Sequence, residues 1–223
     1  MDLILAADLK NGCIVHGKSG IRDEYRPIVS PLASTAEPVR YLQEIRPRYL
    51  YVADLDRITH AGGHDSLVPA LAGCVDLLML DRGCQGPEDM LEYPNVVNII
   101  GTETADSDLE AFSGGYLSVD MKDGRVIPHG YEPEQILTRA GNCAFEGCIM
   151  LDIAGVGTRR GLEPSFLDRC RTAYPNRLFW GGGVAGMDDL YLLLESGFDG
   201  AIIATALHTG AIPVDLIRSG HLC

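Results

Sequence analysis

The hydrophobic residues fall in eight short runs, each closed by a polar or glycine-rich turn. They are Leu3–Ala7, Tyr49–Ala53, Val75–Leu80, Val96–Ile100, Tyr116–Val119, Cys148–Leu151, Leu178–Trp180 and Ala201–Ala204. Runs this short, with no apolar–polar alternation, suit strands buried on both faces. Between most of them lie segments with helical signals. Thr35–Glu44 places Thr35 at an N-cap, Glu37 two residues on and Pro38 near the first turn. Glu132–Ala140, Glu163–Arg171 and Asp188–Glu195 likewise carry acids early in the segment. The connections after the third and fourth runs read as poorer helices. Strands alternating with crossover segments predict a parallel sheet. No interruption is long enough for a second domain, so the pattern predicts an α/β fold closed as a (β/α)8 TIM barrel over residues 1–223.

An internal repeat sharpens this reading. Leu5-Ala6-Ala7-Asp8-Leu9-Lys10-Asn11-Gly12 aligns with Leu117-Ser118-Val119-Asp120-Met121-Lys122-Asp123-Gly124, about half a chain length on. Arg82-Gly83-Cys84-Gln85-Gly86-Pro87-Glu88-Asp89 aligns with Gly182-Gly183-Val184-Ala185-Gly186-Met187-Asp188-Asp189, and Ile99-Ile100-Gly101-Thr102 with Ile202-Ile203-Ala204-Thr205. The order is kept throughout, which divides the barrel into half-barrels of about 1–111 and 112–223.

Composition narrows the function classes. With 31 Asp+Glu against 18 Lys+Arg the formal net charge is −13. That balance argues against nucleic acid and against anionic membrane surfaces as partners, because both select clustered Lys and Arg. Hydrophobic residues make up 46% and charged residues 22%, enough for a sizeable core. The opening MDLILAADLKNG has neither the basic region nor the cleavage site of a signal peptide. Seven scattered cysteines without a Cys-x-x-Cys pair fit free thiols in a reducing, cytoplasmic setting, and the six dispersed histidines show no metal spacing.

The repeat puts Asp8 and Asp120 at the C-terminal ends of strands one and five, facing each other across a barrel mouth. Two carboxylates on opposite walls suit general acid–base work, provided their environments split their pKa values. Each could instead cap a strand end or bind Lys10 or Lys122. After strands seven and eight, Trp180-Gly181-Gly182-Gly183-Val184 and Ile203-Ala204-Thr205-Ala206-Leu207 offer backbone N–H groups for a phosphate, the candidates being Gly182, Gly183, Ala204 and Thr205. The corresponding segment of the first half carries Asp81 and Arg82 where the second has Gly181 and Gly182, so a second cradle is not assured there. Asp81 would repel an anion, Arg82 or Gln85 could bind one by side chain, and Gly101-Thr102 has the right composition. Asp152 and Thr158 after strand six could reach a sugar hydroxyl or the reacting oxygen, as could Asp54 and Asp56 after strand two. His129-Gly130-Tyr131 could lay an aromatic ring over a heterocycle or simply pack as a loop.

In these residues the chain resembles the histidine-biosynthesis barrel family, which includes the phosphoribosylformimino-aminoimidazole-carboxamide ribotide isomerase and the imidazole glycerol phosphate synthase cyclase subunit. AADLKNGCIV, YVADLD, IIGT, VDMKDGRV, LDIAGVGT, WGGGV and GAIIATALHTG follow the family pattern in order. Asp120, the His-Gly-Tyr segment and Thr158 tilt the resemblance toward the isomerase. It implies an aldose-to-ketose Amadori rearrangement of a phosphorylated aminosugar. Asp8 would be the base that moves the C2 proton, Asp120 the acid that opens the furanose ring, and Thr158 and Asp152 would assist. Only protons move, so the resemblance implies no metal or redox cofactor.

The chain also departs from the isomerase pattern. Tyr51 stands at a histidine position, Leu80-Asp81-Arg82-Gly83-Cys84-Gln85 replaces Gly-Gly-Gly-Ile-Arg, and Tyr131 replaces a stacking tryptophan. The first loop, from His16 to Ile28, is unlike the isomerase loop, and the isomerase's substrate has a phosphate at each end. These departures resemble a paralogue group of one-carbon-metabolising microbes, for which the substrate would be a smaller monophosphate. The pattern is also compatible with cyclase chemistry, or with a phosphosugar-binding protein without turnover. The cyclase branch uses ammonia from a glutaminase partner, and no sequence feature calls for one.

Overall fold

The computed structural model describes residues 1–17, 20–105, 108–155 and 162–223. Every apolar run is the core of a parallel strand: β1 (Asp2–Lys10), β2 (Tyr49–Asp54), β3 (Leu77–Asp81), β4 (Val96–Gly101), β5 (Tyr116–Lys122), β6 (Gly147–Asp152), β7 (Leu178–Gly181) and β8 (Gly200–Ile203). Each pairs in parallel with the next, and β8 pairs with β1 through Leu3↔Ala201 and Ile4↔Ile202, which closes the barrel. Strands in such a barrel bury both faces, which is why the runs lack alternation. The outward face of β1, carrying Leu3, Leu5, Ala7 and Leu9, joins the core under the helices, together with Leu42, Leu137, Leu167 and Leu190. The inward residues Ile4, Tyr51, Met79, Ile99, Tyr116, Ile149, Phe179 and Ile202 fill the barrel itself. There the Tyr116 and Phe179 rings stack with centroids 5.3 Å apart.

The helices are α1 (Pro38–Ile45), α2 (Leu55–Ile58), α3 (Val68–Ala72), α4 (Pro133–Ala140), α5 (Pro164–Ala173), α6 (Met187–Glu195), α7 (Thr205–His208) and α8 (Val214–Ser219). Three begin with the same Glu-Pro step. Proline at the first position loses no helical hydrogen bond, and the preceding glutamate satisfies the free N–H groups. Glu37 accepts from the N–H of Val39 and Arg40, Glu163 from Ser165 and Phe166, and Glu132 forms a capping box with Gln135. The N-cap of α1 is therefore Glu37. Thr35, expected in that role, accepts from the Glu37 N–H one step earlier. After β3 and β4, among the described residues, only the short 3-10 turns Pro87–Asp89 and Leu109–Ala111 form, in keeping with the weak helical pattern there.

The repeat has a geometric counterpart. β1 runs on into a hairpin through Asn11 (φ 51°) and Gly12 (φ 74°), and β5 into one through Asp123 (φ 52°) and Gly124 (φ 75°). Consecutive positive φ values demand Asn-Gly or Asp-Gly in such a turn. The first hairpin, returning along Cys13–His16, carries the chain over the barrel mouth toward Arg22. Among the described residues, no helix is long and apolar enough to cross a membrane. All seven cysteines are free thiols.

Candidate active site

The C-terminal ends of the strands open into a cavity of about 1140 Å³, its solvent-filled entrance included. Three aspartates from alternate strands line it: Asp8 of β1, Asp81 of β3 and Asp120 of β5. Alternate strands feed one layer of a barrel interior, so the three converge. Asp8 lies in register with Ala53, and Ala53 with Asp81. Asp81 and Asp120 are buried, while Asp8 keeps part of its surface open to the cavity.

Asp81 and Asp120 are held by short-range contacts. The Tyr51 hydroxyl donates to Asp81 Oδ2 at 3.1 Å, and the Gly83 N–H to Asp81 Oδ1 at 3.0 Å. Asp120 accepts from Ser118 Oγ at 2.6 Å and from the Glu103 N–H at 3.0 Å. Burial disfavours the charged form of all three aspartates. It pushes Asp8 up to about 6, a rise that the Arg22 guanidinium opposes and Asp81 reinforces. Asp81 also rises to about 6 through burial, held back by its bonds from Gly83 and Tyr51. Asp120 goes highest, to about 7, because the Asp81 charge adds to burial and outweighs Ser118. The trio titrates as one coupled group, with Asp120 the last to lose its proton. Tyr51, buried among these charges, is driven well above the ordinary tyrosine value and stays a neutral donor.

The first loop completes this side. Arg22 reaches over the mouth and binds Glu103 at 2.6 Å, while Lys10 Nζ holds the Arg22 carbonyl at 2.7 Å. Lys10 is thus spent on the loop rather than on Asp8. The wall at the ends of β7 and β8, next to the strand of Asp8, is formed by Gly182, Gly183, Ala204 and Thr205. Gly182 sits at φ +89°, and a Cβ there would lie 2.1 Å from the Asp152 carbonyl oxygen, so no other residue fits. Thr205 Oγ1 is buried and has no hydrogen-bond partner among the described residues. An orphaned hydroxyl on a residue that lines the same cavity as the glycine turn lacks a partner that a ligand oxygen could supply.

Other residues picked from the sequence are placed differently. Gly101 and Thr102 are not a phosphate cradle: the Thr102 hydroxyl accepts from the Asp120 N–H at 2.9 Å, and a Cβ on Gly101 would meet Asp120 Oδ2 at 2.8 Å. Thr102 holds Asp120 in place, and Gly101 leaves room for its carboxylate. Arg82 is no anion binder, since it forks onto Asp65 at 2.6 and 3.0 Å and donates to the Asp89 carbonyl. Asp152 turns its Oδ1 to the Gly155 N–H and borders a second cavity with Trp180 and Phe166. Asp54 and Asp56 grip His64, whose Nδ1 lies 2.9 Å from Asp54, and so brace the loop after β2. His129 and Tyr131 contact each other on an exposed loop outside the mouth cavity. Thr158 lies outside the described residues. No metal-binding group of His, Cys, Asp or Glu occurs among the described residues. Sequence reasoning missed Tyr51 and Arg22 as parts of the site, and took Asp81 only as an obstacle to anions. The signal for Asp81 was its alignment with Gly181.

The model of a family described as histidine biosynthesis protein matches residues 2–213. An uncharacterized protein of Methanocaldococcus jannaschii is 32% identical, over 97% of both chains. A Thermus thermophilus isomerase is 29% identical over 95% of this chain and 96% of its own. A Methanosphaera stadtmanae isomerase is 26% identical over 96% and 97%. Both isomerases are named for an imidazole-4-carboxamide that carries two phosphoribosyl groups.

Proposed function

The chain belongs to the histidine biosynthesis protein family, and on that premise we propose that it is an aldose–ketose isomerase acting by proton transfer on a phosphorylated sugar or aminosugar. The observation that carries the proposal is the convergence of Asp8 and Asp120 on one cavity that the Gly182–Thr205 wall also lines. Burial raises both carboxyls and the Asp81 charge raises Asp120 further, so Asp120 is the one that keeps its proton while Asp8 ionises, the division of labour that acid–base catalysis needs.

Asp120 donates its proton to the ring oxygen, and the C1–O bond opens to leave an imine or aldehyde at C1. Asp8 removes the C2 proton, giving the enaminol or enediol. Return of a proton to C1 and loss of the C2 hydroxyl proton yield the ketose. No electrons leave the substrate, and the protons balance within it and the two carboxyls. The glycine wall and the Thr205 hydroxyl hold the phosphate, so the sugar is pinned with C1 and C2 between the carboxylates. Tyr51 and Ser118 orient the acids.

The test is turnover in D2O, with the relatives' phosphoribosyl imidazole-carboxamide compound and with simple aldose phosphates and glycosylamine phosphates. The expected result is ketose formation with deuterium at C1, lost in Asp8→Asn and Asp120→Asn. Turnover that survives either substitution would overturn the assignment.

A further inference from the structure

The two halves of the barrel mouth are unequal. In the second half, glycine backbone and an orphaned hydroxyl leave room for an anion at Gly182, Gly183 and Thr205. In the first half every counterpart is otherwise engaged. Asp81 stands where the second half has Gly181, one residue before the anion wall, and puts a carboxylate into the cavity. Arg82, the cation of that loop, is 5% exposed and forked onto Asp65. Thr102 is committed to Asp120, and the space beside Gly101 is taken by the Asp120 carboxylate. Around this half of the cavity stand four carboxylates, Asp8, Asp81, Asp120 and Glu103, and the guanidinium of Arg22 is already paired with Glu103.

Resting on the isomerase reading above, we infer that the site takes a substrate with a phosphate at one end only, and that Asp81, held by Tyr51 and Gly83, selects a hydroxyl- or amine-bearing end in place of a second phosphate. Like charge forced together in a buried site is strongly unfavourable, whereas hydroxyl and ammonium groups would donate to the exposed carboxylate edges. The relatives' isomerases are named for a compound with two phosphoribosyl groups, so this residue separates the chain from them in substrate rather than in chemistry. Asp81 is therefore a specificity residue. It needs no part in the proton transfers.

The experiment is calorimetric titration of the full chain with inorganic phosphate, ribose 5-phosphate and ribulose 1,5-bisphosphate, for wild type, Asp81→Asn and Asp81→Gly. The glycine variant copies Gly181 of the second half and the asparagine variant is isosteric, so the two remove the charge in different ways, and circular dichroism checks the fold of each. Wild type is expected to bind the monophosphate at least about tenfold more tightly than the bisphosphate, and the variants to narrow that ratio by gaining bisphosphate affinity. Equal or tighter bisphosphate binding by wild type would overturn the inference and leave the isomerase reading intact. A ratio unchanged in both variants would remove Asp81 from the role. Binding of none of the three probes would overturn the inference and the phosphate wall together.

Discussion

Replacing Asp81 with asparagine should reverse the sign of its effect on stability with pH. The Asp81 carboxyl rises from 3.8 to about 6 on folding, chiefly through burial. A carboxyl raised in the folded state favours folding most below its unfolded value, and that contribution is lost as pH rises through the folded one. A rise of roughly two units corresponds to about 3 kcal/mol, lost between about pH 4 and pH 7. Asparagine keeps the shape without the charge. It presents one oxygen where aspartate presents two, so either the Tyr51 hydroxyl or the Gly83 N–H loses its acceptor, at about 1–2 kcal/mol at every pH. The two effects oppose each other. Asp81→Asn should be about 1–2 kcal/mol less stable than wild type near pH 4, and more stable by a similar amount near pH 8. Urea unfolding at half-unit pH steps measures both curves. They should cross between about pH 5 and 6.5. Parallel curves would refute the reasoning, since they would mean that Asp81 is charged at no cost in the folded protein.

Four further outcomes follow from the same geometry. The turnover rate should peak narrowly between about pH 6 and 7, because Asp8 must be ionised and Asp120 protonated; a broad plateau to about pH 9 in the rate profile would contradict this. Ser118→Ala removes the bond that stabilises the Asp120 anion, so the alkaline limb of that profile should move to higher pH while the acid limb stays. Thr205→Val should leave thermal stability unchanged or slightly raised, since the hydroxyl has no protein partner among the described residues, yet should weaken inorganic phosphate binding by roughly tenfold in calorimetry. Gly182→Ala drives a methyl into the Asp152 carbonyl and should cost more than about 2 kcal/mol in urea unfolding, together with phosphate binding.

The barrel was legible because its strands are short, mostly apolar runs without alternation, and because the Asn11-Gly12 and Asp123-Gly124 turns repeat the same sequence pattern and the same backbone. Asp8, Asp120 and the Gly182–Thr205 wall could be placed at one mouth from the repeat alone, since alignment of the halves fixes which strand ends carry them. The residues that were misjudged share a different cause. Thr102, Arg82, Asp54 and Asp152 have the right chemistry at strand ends, but each finds a nearer partner: the Asp120 N–H, Asp65, His64 and the Gly155 N–H. Which partner a polar side chain meets depends on loop paths, and loop paths leave no periodic trace in a sequence. Arg22 was hidden for the same reason, since only the hairpin after β1 brings it over the mouth.

The central claim is that Asp8 and Asp120 differ in protonation near neutral pH, and carboxyl carbon NMR of the uniformly aspartate-labelled protein tests it without any substrate. Asp8→Asn, Asp81→Asn and Asp120→Asn would assign the buried resonances. The expected titration shows three carboxyls changing between about pH 5.5 and 7.5, well above the ordinary range, with the Asp120 resonance moving last. Asp8 and Asp120 both titrating below about pH 4.5, like exposed aspartates, would contradict the account, because no proton would then remain on Asp120 to give.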